Sequence, residues 1–225
     1  MKNLIGIATP QSNFCVEQEM RKLLGLEIRY VVMRLHNEYA DAKVRIREYL
    51  LQLPKLMRQQ FATLNVQSLW FACTASSYLI TEQERETILN QFSKLFPKTT
   101  LLLASDAIIN YLHSNSYKKI AILSPYPNWL TEKAIDYYES NGFVITAVEQ
   151  INHLKEFSDT TSIYTLSNND TRDGIESLLT QQADCILITG TGLPSLELLA
   201  QYQNTKIPII SSNLVLAEIG IQQRR

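Results

Sequence analysis

Leu69-Trp70-Phe71-Ala72-Cys73-Thr74-Ala75-Ser76-Ser77 is the stretch that decides the fold. The apolar run reads as a buried strand and stops at a cysteine. Small and hydroxyl-bearing residues follow, and a helical pattern starts a few residues later. A thiol at such a strand-to-helix turn stands beside free backbone N–H groups and a positive dipole end. Those lower its pKa and can also hold a carboxylate. The competing reading of the same residues is a half-buried structural cysteine, because free cysteines are usually buried and inert.

Working outward, the same grammar recurs. Upstream, residues 4–9 form a short apolar run ended by Pro10, then the polar loop Gln11-Ser12-Asn13, a helical pattern over 17–24 closed by Gly25, and a β-rich run over 28–35. Residues 40–64 are helical in pattern, with a break at Pro54. Downstream, Thr81-Glu82-Gln83-Glu84 starts an amphipathic helix reaching residue 96. A strand over 101–104 and a helix to about 113 follow. Strands are then predicted over 119–125, 143–148, 185–189 and 207–211. Helices are predicted over 129–141, 171–181, 193–203 (with Pro194 in its first turn) and 214–222. Residues 151–169 are polar and irregular and receive no assignment. Strands alternating with helices at this spacing predict a parallel α/β architecture, with strands covered on both faces.

The chain also repeats. Ile5-Gly6-Ile7-Ala8-Thr9-Pro10 aligns with Ile120-Ala121-Ile122-Leu123-Ser124-Pro125; Leu69-Trp70-Phe71-Ala72-Cys73-Thr74 aligns with Ile186-Leu187-Ile188-Thr189-Gly190-Thr191; Leu103-Ala104-Ser105-Asp106 aligns with Ile210-Ser211-Ser212-Asn213. The order and spacing agree three times. The expected fold is therefore two pseudo-symmetric parallel-sheet α/β halves: residues 1–108 plus 210–225, carrying Cys73, and residues 109–209, carrying Tyr126 and Gly190. Ligands bind outside the carboxyl ends of such strands, so the active site is expected in the cleft between the halves, with Gly190 facing Cys73.

Composition narrows the function classes. The 225 residues are 45% hydrophobic and 19% charged with a formal net charge of −1, so no nucleic-acid partner is implied. No stretch approaches the ~20 apolar residues of a membrane span, and residues 1–7 are too short an apolar run for a signal peptide. Cys15, Cys73 and Cys185 are widely spaced, and His36, His113 and His153 are isolated, so no metal site is expected. An odd, low cysteine count suits a reduced, cytoplasmic compartment. Cys15 and Cys185 read as packing residues. Ser195 with Thr191 offers a hydroxyl pair, but no His or Asp motif accompanies it.

At Pro10-Gln11-Ser12-Asn13, Cys73-Thr74-Ala75-Ser76-Ser77, Ser124-Pro125-Tyr126 and Ser211-Ser212-Asn213 the sequence resembles the aspartate/glutamate racemase superfamily, and within it the maleate cis–trans isomerase and arylmalonate decarboxylase branch. The resemblance runs the length of the chain. It implies a Rossmann-like two-half fold and a cofactor-free enzyme, an oligomer, acting on a small carboxylate. Carried over, Cys73 is nucleophile or acid/base, and Tyr126 donates to a carboxylate or to developing enolate charge. Ser12, Asn13, Thr74, Ala75 and Ser76, the last two through backbone N–H groups, hold carboxylate oxygens beside Gly190 and Thr191.

Three departures matter. Gly190 replaces the second cysteine, which speaks against two-base racemisation. Ala75 replaces a serine. Ser158-Asp159-Thr160-Thr161 aligns where the isomerases carry an asparagine. One thiol leaves cis–trans isomerisation by Cys73 addition, which is the reading the retained first-half cysteine favours, or decarboxylation with Cys73 as sole proton donor. A degenerate, non-catalytic carboxylate-binding protein is the reading from outside enzymology.

Overall fold

The structure is a computed structural model that describes residues 4–151 and 160–224. Its strands are β1 (Leu4–Pro10), β2 (Tyr30–Leu35), β3 (Val66–Phe71), β4 (Thr100–Leu103), β5 (Lys119–Ser124), β6 (Val144–Gln150), β7 (Cys185–Ile188) and β8 (Ile209–Ser211). They form two four-stranded parallel sheets, ordered β2-β1-β3-β4 and β6-β5-β7-β8. The two orders are the same, as the internal repeat requires. The inner strands are largely apolar because helices cover both faces: Ile5, Ile7, Leu69, Trp70 and Phe71 in one sheet and Ile122, Ile186 and Leu187 in the other are fully buried.

The helices are α1 (Cys15–Leu24), α2 (Ala42–Leu51), α3 (Leu53–Phe61), α4 (Thr74–Tyr78), α5 (Glu82–Leu95), α6 (Ala104–Ser114), α7 (Asn128–Ser140), α8 (Arg172–Leu178), α9 (Leu196–Gln201) and α10 (Ser212–Gln222). The break at Pro54 falls where the sequence puts it, with the proline in the first turn of α3, where its missing N–H costs no hydrogen bond. Thr81 caps α5 through a reciprocal bond with Glu84. Pro194 is not in the first turn of a helix: α9 starts two residues later, and Ser195 precedes it with its backbone N–H directed at the Glu19 carboxylate. The described part of the unassigned polar region yields a 3-10 turn, Thr161–Thr165, and a shorter one over Asn168–Asp170.

In each sheet the chain leaves the central strand for one neighbour and then returns to the other side. That reversal opens a crevice between β1 and β3, and another between β5 and β7. The closing bonds match: Ala72 N–H donates to the Ala8 carbonyl (2.7 Å) and Thr189 N–H to the Leu123 carbonyl (3.0 Å). Pro10 and Cys73 thus emerge side by side, as do Pro125 and Gly190.

The boundary expected at residue 210 falls inside β8, which pairs with β7 and belongs to the second sheet. The helix that follows, α10, packs against α6 and α1. Its Gly220 lies flat on the buried Trp70 indole, where a β-carbon would collide with the ring. A second tie is polar. Glu19 of α1 is buried, and its carboxylate accepts from Ser195 Oγ (3.0 Å), Leu196 N–H (2.9 Å) and Asn213 Nδ2 (2.8 Å). These donors replace the water that a buried carboxylate loses. No helix of the described residues is long and apolar enough to cross a membrane.

Candidate active site

The strand ends meet at a cavity of about 560 Å3, open mouth included. Of the residues expected to form the site, it gathers Ser12, Asn13, Cys73, Thr74, Ala75, Tyr126, Gly190 and Thr191. Ser76 is not on its wall. The Ser76 hydroxyl lies behind the thiol, bonded to the Ile46 carbonyl at 2.6 Å and 3.3 Å from Cys73 Sγ. Its expected role in holding substrate is corrected accordingly: it positions α2 and the cysteine.

Cys73 sits at the N-cap of α4, in extended conformation and 6% exposed. α4 follows it at once, because Thr74-Ala75-Ser76-Ser77 turn helical immediately after the strand. Burial pushes the thiol above its ordinary value; the Ser76 hydroxyl and the N–H groups of Ser76 and Ala75 pull the other way without overcoming it. The expectation of a lowered pKa is thus corrected. The turn does supply N–H donors, but they face sulfur in a site almost without solvent. The Ser76 hydroxyl has one proton, and the 2.6 Å contact to the Ile46 carbonyl claims it. The longer contact to Cys73 Sγ, at 3.3 Å, is therefore the weaker of the two, and the hydroxyl's pull on the thiol is small beside the effect of burial.

The opposite wall comes from the second half. Tyr126 is buried, its phenol shares a proton with Thr74 Oγ1 at 2.8 Å, and burial, with Tyr78 beside it, holds its pKa well above the usual tyrosine range. It is a hydrogen-bond donor, not a base. Asn13 caps α1, accepting from Val16 N–H at 3.3 Å, and its Nδ2 donates to Thr191 Oγ1 at 3.2 Å. Thr191 in turn donates to the Ala72 carbonyl at 2.8 Å. Asn13, one residue before the Phe14 N-cap, therefore both braces the first turn of α1 and lines the cavity. These bonds cross between the halves and fix the cleft's width.

Gly190 lines the same cavity as Cys73, but its position is not vacant. Its φ is +83°, and a β-carbon there would stand 3.0 Å from Pro125 Cγ, 3.1 Å from Tyr126 Oη and 3.2 Å from Ile163 Cδ1. Both the backbone and the neighbours oppose a side chain.

Three parts of the wall have no counterpart in the sequence reading: Arg45, Ile46 and Tyr49 on α2; Leu130 on α7; and Ile163 and Tyr164 in the 3-10 turn. The (i, i+4) spacing of Arg45 and Tyr49 was the available signal. Of the stretch aligned with the isomerase asparagine, Thr160 and Thr161 line the cavity, whereas Ser158 and Asp159 lie outside the described residues. So does His153; His36 and His113 are exposed. Cys15 and Cys185 pack in the core, and burial, with Asp184 nearby, pushes Cys185 up to about 12. Ser195 bonds to Glu19 and Ser211 and is not on the wall of this cavity. Among the described residues no group of three or more His, Cys, Asp and Glu could hold a metal ion.

The architecture is that of known enzymes. A Nocardia farcinica maleate cis–trans isomerase variant with a covalently bound succinylcysteine intermediate superposes with a TM-score of 0.82 at 19% identity, over 99% of this chain and 92% of that one. The maleate isomerase Iso from Pseudomonas putida S16 gives 0.82 at 17% over the same shares. A glycine-to-cysteine variant of arylmalonate decarboxylase gives 0.73 at 12%, over 98% and 92%. At such identities the likeness is one of fold. No curated protein sequence matches the chain. The family model for arylmalonate decarboxylase matches residues 76–219, well over half of the sequence, and the chain belongs to that family.

Proposed function

We propose that the protein is a cofactor-free enzyme that isomerises a small cis-enedioate by reversible addition of Cys73. The observation that carries this reading is the one-sidedness of the site. Among the described residues a single thiol lines the cavity, and at Gly190, on the same cavity, a β-carbon would crowd Pro125, Tyr126 and Ile163 at 3.0–3.2 Å. Reversible addition to a double bond needs one nucleophile on one face, whereas inversion at carbon needs two partners.

The step balances without an external base. Sulfur bonds to one alkene carbon, and the S–H proton passes to an oxygen of the carboxylate on the other. The π electrons move into that carboxylate, giving an enediolate held by the hydroxyls of Thr74 and Tyr126. The former double bond is now single and rotates. The proton then returns to sulfur, the C–S bond breaks, and the trans isomer leaves. The neutral resting thiol suits this sequence, because the proton travels with the reaction.

A second reading, decarboxylation, draws on the same thiol. A buried S–H is an acid ready to protonate an enediolate left by departing CO2, and Ile46, Leu130 and Ile163 provide an apolar wall. Proton NMR in deuterated water with maleate and with phenylmalonate separates the two. Fumarate from maleate, abolished in Cys73→Ala, supports isomerisation. CO2 loss with single-face deuteration supports decarboxylation. Turnover unchanged in Cys73→Ala would falsify both.

A further inference from the structure

Four buried hydroxyls run from the cavity wall into the contact between the two halves. Tyr126 Oη stands 2.8 Å from Thr74 Oγ1, and Tyr78 Oη stands 2.9 Å from Tyr138 Oη. Tyr78 joins the two pairs, because it lies four residues after Thr74 on α4 and hydrogen-bonds with it. Thr74 and Tyr78 belong to the first half, Tyr126 and Tyr138 to the second. Thr74 and Tyr126 line the cavity, whereas Tyr78 and Tyr138 do not. Burial holds the phenols of Tyr78, Tyr126 and Tyr138 above the usual tyrosine range, so each keeps its single proton.

Counting those protons gives the chain of hydroxyls a direction. Its contacts use one proton each, and one hydroxyl at an end is left with a spare. Tyr138 is fully buried, and among the described residues its hydroxyl bonds to Tyr78 alone. A chain running toward Tyr138 would leave the spare proton there, buried without an acceptor, at the full desolvation cost of that donor. A chain running from Tyr138 through Tyr78 to Thr74 strands no donor. Its spare proton emerges at Thr74 and Tyr126, in the cavity, where a bound anion accepts it. Each bond in such a chain also polarises the next.

We propose that Tyr78 and Tyr138 are positioning residues that direct the hydroxyl protons of Thr74 and Tyr126 into the cavity. Neither touches the ligand. With Tyr138 donating to Tyr78 and Tyr78 to Thr74, the Thr74 proton cannot turn away toward Tyr78, and both cavity hydroxyls act as donors. The inference takes an anionic ligand from the proposed function but nothing from the reaction step. Tyr137 supplies the contrast. Its ring packs on those of Tyr78 (5.1 Å) and Tyr138 (5.6 Å), while its hydroxyl turns to Ser105 and stays out of the chain.

The test stands apart from turnover. Cys73 is alkylated at about pH 9 with iodoacetate, which carries a carboxylate, and with iodoacetamide, which does not, and its modification is followed by mass spectrometry. Donors aimed into the cavity hold the iodoacetate anion beside the sulfur, so the ratio of the two rates is expected to exceed that of free cysteine. A ratio cancels the changes in thiol exposure or pKa that packing alone would cause. Tyr78→Phe and Tyr138→Phe, which keep the rings, are each expected to lower the ratio by about three- to tenfold. Tyr137→Phe is expected to leave it unchanged. Beside Thr74→Val, Tyr78→Phe is expected to have no further effect, as a residue acting through Thr74 requires. A parent that takes up no iodoacetate or matches the ratio of free cysteine would overturn the inference. So would an unchanged ratio in either hydroxyl variant, an equal fall in Tyr137→Phe, or a Tyr78→Phe effect undiminished beside Thr74→Val. If the ratios behave as expected but no cis-enedioate is isomerised, the proposed reaction fails and the assignment of Tyr78 and Tyr138 stands.

Discussion

Replacing Gly190 with cysteine restores, on paper, the second thiol of a two-base racemase. The structure predicts that it instead damages the protein. At φ +83° an L-residue carries a backbone penalty of roughly 1–2 kcal/mol. The new β-carbon meets Pro125 Cγ at 3.0 Å, Tyr126 Oη at 3.1 Å and Ile163 Cδ1 at 3.2 Å. The proline ring is rigid, and the tyrosine hydroxyl is tied to Thr74. Relief must come from shifts in packed groups, at about 1–3 kcal/mol. Together these give about 2–5 kcal/mol, or a Tm lower by about 4–20 °C for a chain of this length. Gly190→Ala separates the causes: it carries the same β-carbon and backbone penalty without sulfur, so most of the loss should appear there too. Calorimetry measures stability, and deuterium uptake at the α-carbon of aspartate and glutamate enantiomers in deuterated water measures racemase chemistry. A Gly190→Cys protein that melts with the parent and exchanges both enantiomers would refute the claim that the second face is closed.

Other predictions follow from the same geometry. Iodoacetamide should modify Cys73 slowly at pH 7 and ever faster beyond pH 9, because burial raises its pKa; a rate that levels off below pH 8 would contradict the neutral resting thiol. Alkaline stability should fall for a related reason. Cys185 titrates near 8.5 when unfolded and at about 12 when folded, so between those values the native state holds a proton that the unfolded state has lost. Its stabilising effect is complete below the unfolded pKa and is lost as pH rises toward the folded one, at about 1.4 kcal/mol per pH unit. Urea unfolding between pH 8 and 10.5 should show the slope, and Cys185→Ala should reduce it by about one proton. Glu19→Ala should cost more than about 3 kcal/mol, since it strips the acceptor from Ser195, Leu196 and Asn213 at once. Glu19→Gln keeps an acceptor and should cost less; equal losses in urea would assign the effect to packing instead.

The central strands were legible because their cores, Ile5–Ala8, Leu69–Ala72, Ile120–Leu123 and Cys185–Ile188, are apolar runs that end at Pro or at small and hydroxyl residues. The two-sheet plan was legible because the repeat preserves order as well as pattern. Ser12, Asn13, Cys73, Thr74 and Tyr126 reached the cavity for the same reason, since strand ends flanking a reversal in sheet order must emerge together. What escaped is non-local. α4 is five residues long, too short to show a period. Arg45 and Tyr49 read as one more helix face, and only the seating of α2 on α4 makes that face a cavity wall. The direction of the Cys73 shift escaped too: a sequence displays the donors around a thiol, whereas the burial that outweighs them is assembled from both halves. Gly190 shows the limit most sharply. Its alignment with Cys73 is visible in the chain, but the Pro125, Tyr126 and Ile163 atoms that fill its side of the cleft come from separate elements.

That asymmetry constrains the chemistry more than the presence of the thiol does. Two halves with the same sheet order would, if their sites were also alike, hold a substrate symmetrically and act on both faces. Here one half contributes sulfur, and the other contributes a neutral phenol, a glycine, threonine hydroxyls and apolar bulk. A planar intermediate between them meets a proton or a nucleophile from one side only. The phenol cannot take the missing role, because burial holds Tyr126 far above the usual tyrosine range and its hydroxyl is shared with Thr74. On the proposed reading sulfur and the moving proton both use the Cys73 face, and any product with a new stereocentre is then expected to be of a single hand.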